Sequence, residues 1–171
     1  GLGLPVPRVI GHDNRSSRPF MVTHLVAGAV ITDEHHASHL DVGQRRMLSE
    51  SVIDTLARFH AVAPAAVGLP SFRSGHLDRQ LVAMSDLWMS VGTSSIHDSA
   101  WRAVRTRILT CRPSGEPKVR VLHGDYRLAN FVAQNDQIAA VLDWERCTAG
   151  DPLADLAWLL NSWPGQDWPR G

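Results

Sequence analysis

Met47, Leu48, Val52, Ile53, Leu56, Ala57 and Phe59 recur at three- and four-residue intervals, which predicts an amphipathic helix over about 45–61. Pro64 and Gly68-Leu69-Pro70 end it. A second helix is expected over about 76–91, with Leu77, Leu81, Met84, Leu87 and Trp88 on one face, and Gly92-Thr93-Ser94-Ser95 breaks it. A third follows over about 98–110 with Trp101, Val104 and Ile108 inward. The last helix opens at Asp151-Pro152, where a capping carboxylate and a proline in the first turn suit a helix start. Trp88, Trp101 and Trp158 fall at helical core positions. Between the helices, short apolar runs predict strands over 5–10, 19–25, 119–122, 131–133 and 138–142, the last two joined by a Gln134-Asn135-Asp136-Gln137 turn. The pattern is α+β, with no internal repeat and no low-complexity stretch.

Composition narrows the choice. The chain has 171 residues, 44% hydrophobic and 20% charged, with a formal net charge of zero. That is one globular domain with enough apolar residues for a core. Neutrality argues against nucleic acid or an anionic membrane as partner. Sixteen arginines stand against the single Lys118, a skew that suits a GC-rich genome better than a binding surface. No apolar run approaches the ~20 residues of a membrane span, and no signal-peptide pattern is visible. Cys111 and Cys147 make no disulfide framework and fit a reducing cytoplasm.

The chemistry concentrates in His123-Gly124-Asp125-Tyr126-Arg127-Leu128-Ala129-Asn130, followed thirteen residues on by Asp143-Trp144-Glu145. A carboxylate, a carboxamide and a second carboxylate at this spacing fit phosphoryl transfer. Asp125 would accept or orient the proton of an attacking hydroxyl, and Asn130 and Asp143 would hold magnesium against nucleotide phosphates. With Asn130 and Asp143 bounding adjacent strands, their side chains would converge. A loop aspartate capping a turn is the plain alternative for Asp125. Arg127 stands where a cation would face the transferring phosphoryl group, or it is an exposed salt-bridging arginine. His123 reads as a structural residue that holds the loop by hydrogen bonds. Glu145 reads as a surface carboxylate, while Asp151 and Asp155 cap the helix and brace the loop. His35, His36 and His39 invite a zinc reading, yet no further ligand completes a tetrahedral set, so an exposed cluster is preferred. No Gly-x-Ser-x-Gly elbow or Ser-His-Asp order is present.

These residues resemble the aminoglycoside phosphotransferase and choline kinase-like family of small-molecule kinases, in the branch related to the kinase-like domain of acyl-CoA dehydrogenase fusion proteins. The similarity runs through residues 121–131, 141–145 and 150–160, with weaker echoes at Leu56-Ala57-Arg58-Phe59-His60-Ala61-Val62 and Arg79-Gln80. It implies a protein-kinase-like fold, mainly the helical C-terminal lobe plus hinge strands. Residues 1–28 would close the N-terminal lobe and form the hinge, with 29–171 as C-terminal lobe. It also implies ATP and magnesium as cofactors, with the carbonyl of His24 and the amide of Val26 meeting the adenine edge. Taken alone, the hinge stretch reads as a buried strand ending at Gly28. No Gly-rich loop is present and Lys118 is misplaced for a phosphate-pairing lysine, so the chain reads as a truncated part of a larger protein whose N-terminal lobe is largely absent.

Seven residues separate Asp143 from Asp151, too few for the peptide-binding segment of a protein kinase. A small hydroxylated acceptor follows, and the absence of an acidic excess disfavours a polycationic aminoglycoside. The competing readings are a non-catalytic nucleotide-binding scaffold and a magnesium-dependent hydrolase that uses the same residues.

Overall fold

Asp41 and Gln44 close a reciprocal cap that starts helix α1 (Val42–Ala61). The Asp41 carboxylate accepts the Gln44 amide at 2.8 Å, and the Gln44 side-chain carbonyl accepts the Asp41 amide at 3.0 Å. In this computed structural model, which describes residues 3–32, 38–70, 75–91, 95–112 and 118–163, the helix therefore begins at Val42 rather than at 45. Apolar spacing could not reveal that start, because the cap is polar. The buried stripe is Leu48, Val52, Thr55, Leu56 and Phe59. Met47 and Ile53, expected inside, are exposed.

That stripe packs on a small set of strands. Strands β1 (Val9–Asp13) and β2 (Phe20–Thr23) pair antiparallel as a hairpin. The first strand lies later than predicted because Pro5 and Pro7 carry no N–H for a ladder. The Pro5 carbonyl instead accepts the Val141 amide at 2.8 Å, and Leu4 packs against the core. A short β3 (Ala29–Val30) leads to β5 (Phe131–Gln134) and β6 (Gln137–Val141) in an antiparallel sheet of order β3-β5-β6. Asn135 and Asp136 turn the β5–β6 hairpin with φ of 51° and 59°, the left-handed pair that a two-residue hairpin loop needs. A separate ladder joins β4 (Arg120–Leu122) to β7 (Thr148–Gly150), with Val121 opposite Ala149. Strands β3 and β7 lack a β-rich composition, so the pattern of single residues does not announce them.

Leu48, Val52, Leu56 and Phe59 of α1 meet Tyr126, Phe131, Ile138, Val141 and Leu159 in one buried cluster. Leu159 comes from the last helix, α4 (Leu153–Ser162), whose start is held by the Asp151 carboxylate accepting the Leu153 amide at 3.0 Å. Helices α2 (His76–Ser90) and α3 (Ser95–Thr110) form with nearly the predicted bounds. Their apolar faces do not enter the core: Leu81 is buried, whereas Leu77, Met84, Leu87 and Val104 are exposed. Trp88 and Trp101 stack on each other at 5.8 Å, and the Trp88 indole donates to Asp98 at 3.0 Å. Trp158 is 41% exposed. The expectation of three core tryptophans is thus corrected. Helical periodicity marks an apolar face, but which surface covers it is a tertiary matter. No helix among the described residues is long and apolar enough to cross a membrane.

Candidate functional site

Strand β4 delivers the chemical loop straight out of the core. Val121 and Leu122 are buried, and Tyr126, three residues past His123, is fully buried with its hydroxyl donating to the Val52 carbonyl at 2.7 Å. Burial, with the nearby Asp155 carboxylate adding to it, pushes the Tyr126 phenol far up, so this hydroxyl is a structural donor. Gly124 sits at φ 85°, and a Cβ there would lie 2.6 Å from the Arg146 carbonyl oxygen. Only glycine allows the loop to pass this close to the segment after Asp143.

Between these fixed points the polar groups converge. Asn130, buried at the end of a short 3-10 turn (Leu128–Asn130), donates through Nδ2 to the Asp125 carbonyl at 2.8 Å and to Asp125 Oδ2 at 3.0 Å. Arg127 Nε donates to the same Oδ2 at 3.1 Å. One oxygen of Asp125 is thereby anchored twice, and Oδ1 makes no hydrogen bond among the described residues. Asn130 is tied to the strand bearing Asp143, since its carbonyl accepts the Leu142 amide at 2.8 Å. Asp143 is exposed and left-handed, with φ 62° and ψ 61°. A non-glycine residue there costs of order 1–3 kcal/mol. The sequence-predicted triplet of Asp125, Asn130 and Asp143 is therefore gathered on one loop and one adjoining strand end.

A second layer holds the loop from behind. Asp155, fully buried on α4, accepts the amide of His123 at 2.9 Å through Oδ2 and that of Gly124 at 2.8 Å through Oδ1. His60, from the end of α1, approaches Oδ2 at 3.1 Å. The His123 ring accepts the Asp125 amide at Nδ1 (3.2 Å) and, as the neutral tautomer with its proton on Nε2, donates to the Leu142 carbonyl (2.7 Å). That ring links the loop bearing Asp125 to the residue before Asp143. The loop-bracing roles read from the sequence for His123 and Asp155 match these contacts. The contact of His60 with Asp155 is not announced by its place at a helix end. An ionisable residue at the end of an amphipathic stripe was the available signal.

The hinge candidates lie just past β2. The His24 amide donates to the Arg8 carbonyl at 2.9 Å, while the His24 carbonyl and Val26 amide make no backbone bond among the described residues. Gly28, at φ 143°, lies so close to β5 that a Cβ would meet the Ala133 carbonyl at 2.4 Å. Glu145 is exposed beside Asp143. His35 and His36 lie outside the described residues, and no group of three metal-ligating His, Cys, Asp or Glu occurs among the described ones.

A loop that sets one carboxylate beside a carboxamide, with a second carboxylate at the adjoining strand end, thus sits on an α+β kinase-like scaffold. The profile of the phosphotransferase enzyme family matches residues 1–170, and the chain belongs to that family. It is similar to the mouse acyl-CoA dehydrogenase family member 10, at 30% identity over 91% of this chain and 15% of the relative. The rat acyl-CoA dehydrogenase family member 11 is 29% identical over 95% of this chain and 22% of its own length. Among solved structures, a Ralstonia eutropha JMP134 protein provisionally designated an aminoglycoside phosphotransferase superposes with a TM-score of 0.83 at 26% identity, covering 96% of this chain and 53% of its own. An aminoglycoside phosphotransferase APH(4)-Ia variant in ternary complex with ADP and hygromycin B shares the fold, with a TM-score of 0.70 at 19% identity over 92% of this chain. The chain spans under a quarter of these acyl-CoA dehydrogenase relatives and about half of the solved structures.

Proposed function

We propose that this chain carries the catalytic lobe of an ATP-dependent phosphotransferase that moves the γ-phosphoryl group to a hydroxyl of a small molecule. The observation that carries the reading is the asymmetric anchoring of Asp125. With Oδ2 fixed by Asn130 and Arg127, Oδ1 is the oxygen left to accept the acceptor hydroxyl's hydrogen bond and then its proton. Phosphoryl transfer asks the protein mainly for position and charge compensation, so an oriented, weakly basic carboxylate suffices. Arg127 orients Asp125 and, half exposed at the loop's edge, places positive charge where phosphoryl oxygens would develop negative charge.

Asn130 and Asp143 offer a carboxamide and a carboxylate oxygen, the hard donors that suit magnesium. Asn130 spends its amide nitrogen on Asp125, which leaves its Oδ1 for a cation, and Asp143 stands exposed beside it. Magnesium bound there would neutralise nucleotide phosphates. Residues 1–28 are assigned to the lobe boundary and hinge, with the His24 carbonyl and Val26 amide as adenine partners, and 29–171 to the C-terminal lobe. The short link from Asp143 to Asp151 favours a small acceptor over a peptide.

The deciding experiment is ATP consumption by the full-length protein that contains this chain, with a pool of small hydroxylated metabolites and aminoglycosides, beside Asp125→Asn. Acceptor-stimulated turnover lost in the variant supports the reading. Bound magnesium–ATP with no turnover for any acceptor would move the protein to a nucleotide-binding scaffold.

A further inference from the structure

His60 lies one residue before the end of α1, and its Nε2 stands 3.1 Å from Oδ2 of the buried Asp155 on α4. The contact is largely closed to water, with the His60 side chain 15% exposed and that of Asp155 1%. Asp155 accepts the His123 amide on Oδ2 and the Gly124 amide on Oδ1. The next amide, that of Asp125 itself, donates to the His123 ring. Three consecutive amides leading to the Asp125 side chain are thus held by two side chains. A carboxylate that receives an amide on each oxygen is an acceptor, which puts the proton of the third contact on His60 Nε2.

Among the described residues, His60 provides the one hydrogen bond to the Asp155 side chain from outside the loop. On the other side of Asp125, the Tyr126 hydroxyl donates to the Val52 carbonyl. Val52 and His60 both belong to α1, so Asp125 stands between two anchors on a single helix. Without the His60 donor, Asp155 and the two amides it accepts would form a unit free to turn together. A buried carboxylate that loses a donor turns or draws in water to recover one. We propose that His60 is a positioning residue for Asp125: its Nε2–H, acting through Asp155, fixes the direction in which the loop presents that carboxylate. The inference rests on the phosphotransferase reading for the role of Asp125; the tie from His60 to the loop stands on the hydrogen bonds themselves.

Two substitutions in the full-length protein separate the donor from the bulk of the ring. His60→Phe keeps a ring and removes the N–H, whereas His60→Gln removes the ring and offers an amide N–H. The readouts are amide hydrogen exchange along the chain and steady-state kinetics with magnesium–ATP. In His60→Phe, exchange at His123 and Gly124 should rise about tenfold or more, the equilibrium worth of one hydrogen bond to a charged group. Its kcat should fall about tenfold while the KM for magnesium–ATP changes less than about twofold. His60→Gln should restore most of both. Wild-type exchange or wild-type kcat in His60→Phe would overturn the proposal. So would a His60→Gln variant as impaired as His60→Phe, which would make the ring's packing the cause. A rise in exchange spread over the whole chain in both variants would make His60 a general fold residue and overturn it as well. Exchange that responds to Phe and recovers with Gln, in a protein that transfers no phosphoryl group, would retain the tie and remove the phosphotransferase reading.

Discussion

The Asp155 carboxylate accepts the Gly124 amide at 2.8 Å across thirty-one positions of sequence, and the same carboxylate holds the His123 amide and touches His60. One buried acid thus joins the end of α1, the start of α4 and the loop bearing Asp125. Replacing it with alanine would leave two loop amides without acceptors inside the protein. Asp155→Ala is expected to cost about 3 kcal/mol, the penalty of unpaired buried donors. Denaturant unfolding checks it, and a midpoint equal to wild type would remove Asp155 from the brace.

Gly124→Ala meets two obstacles together, a left-handed backbone and a Cβ pressed 2.6 Å from the Arg146 carbonyl. The loop and the segment after Asp143 must separate to admit the methyl group. Phosphoryl transfer should fall by at least tenfold, since misplacement of about 1 Å can cost on the order of 100-fold. Steady-state kinetics at saturating ATP reads this directly, and unchanged kcat would show that the close approach is incidental.

Asp143 separates function from stability. Asp143→Gly relieves the left-handed backbone and is expected to hold or raise the melting temperature, by roughly 0.5–1 kcal/mol of stability. The same change should abolish magnesium-dependent nucleotide binding, as should Asp143→Ala. Titration of ATP with and without magnesium decides it; equal affinity in the variants would end the metal assignment.

Arg127 contacts Asp125 rather than any structural partner among the described residues. Arg127→Ala should therefore lower kcat by about tenfold or more while nucleotide affinity changes little. Equal activity would make it an ordinary surface charge.

Cys147 offers a pH test. Burial, reinforced by Asp155, pushes its thiol up from the ordinary value. The folded state therefore keeps the proton to higher pH than the unfolded state, whose thiol ionises near pH 8.5. This contribution to stability is fully present below that value and is lost as pH rises through the higher folded value. Cys147→Ser should flatten the alkaline side of the stability profile, and iodoacetamide should label exposed Cys111 before Cys147 at pH 8. Labelling in the opposite order would contradict the placement of Cys147.

The chemical residues were legible because they are local. Asp125 and Asn130 lie five positions apart on one loop, and the β5–β6 hairpin that brings Asp143 back is announced by its apolar runs and Asn135-Asp136 turn. The helices were legible by period, apart from the polar cap at Asp41. The pairing of β4 with β7 was not, because Thr148-Ala149-Gly150 becomes a strand only through a partner 28 positions away. Nor was the burial of the tryptophans, because a helical face does not say what lies opposite.

By itself the sequence determined the string from His123 to Asn130, the helices of its strongly periodic segments and the hairpin that returns Asp143, all set by short-range backbone and side-chain chemistry. Only the tertiary structure decided that Asp155 and His60 would brace the loop, that Asp125 would keep one oxygen open, and that the Arg146 backbone would press against Gly124. Those relationships depend on burial and on distances between residues far apart in the chain, which close only when the core of α1, the strands and α4 has packed.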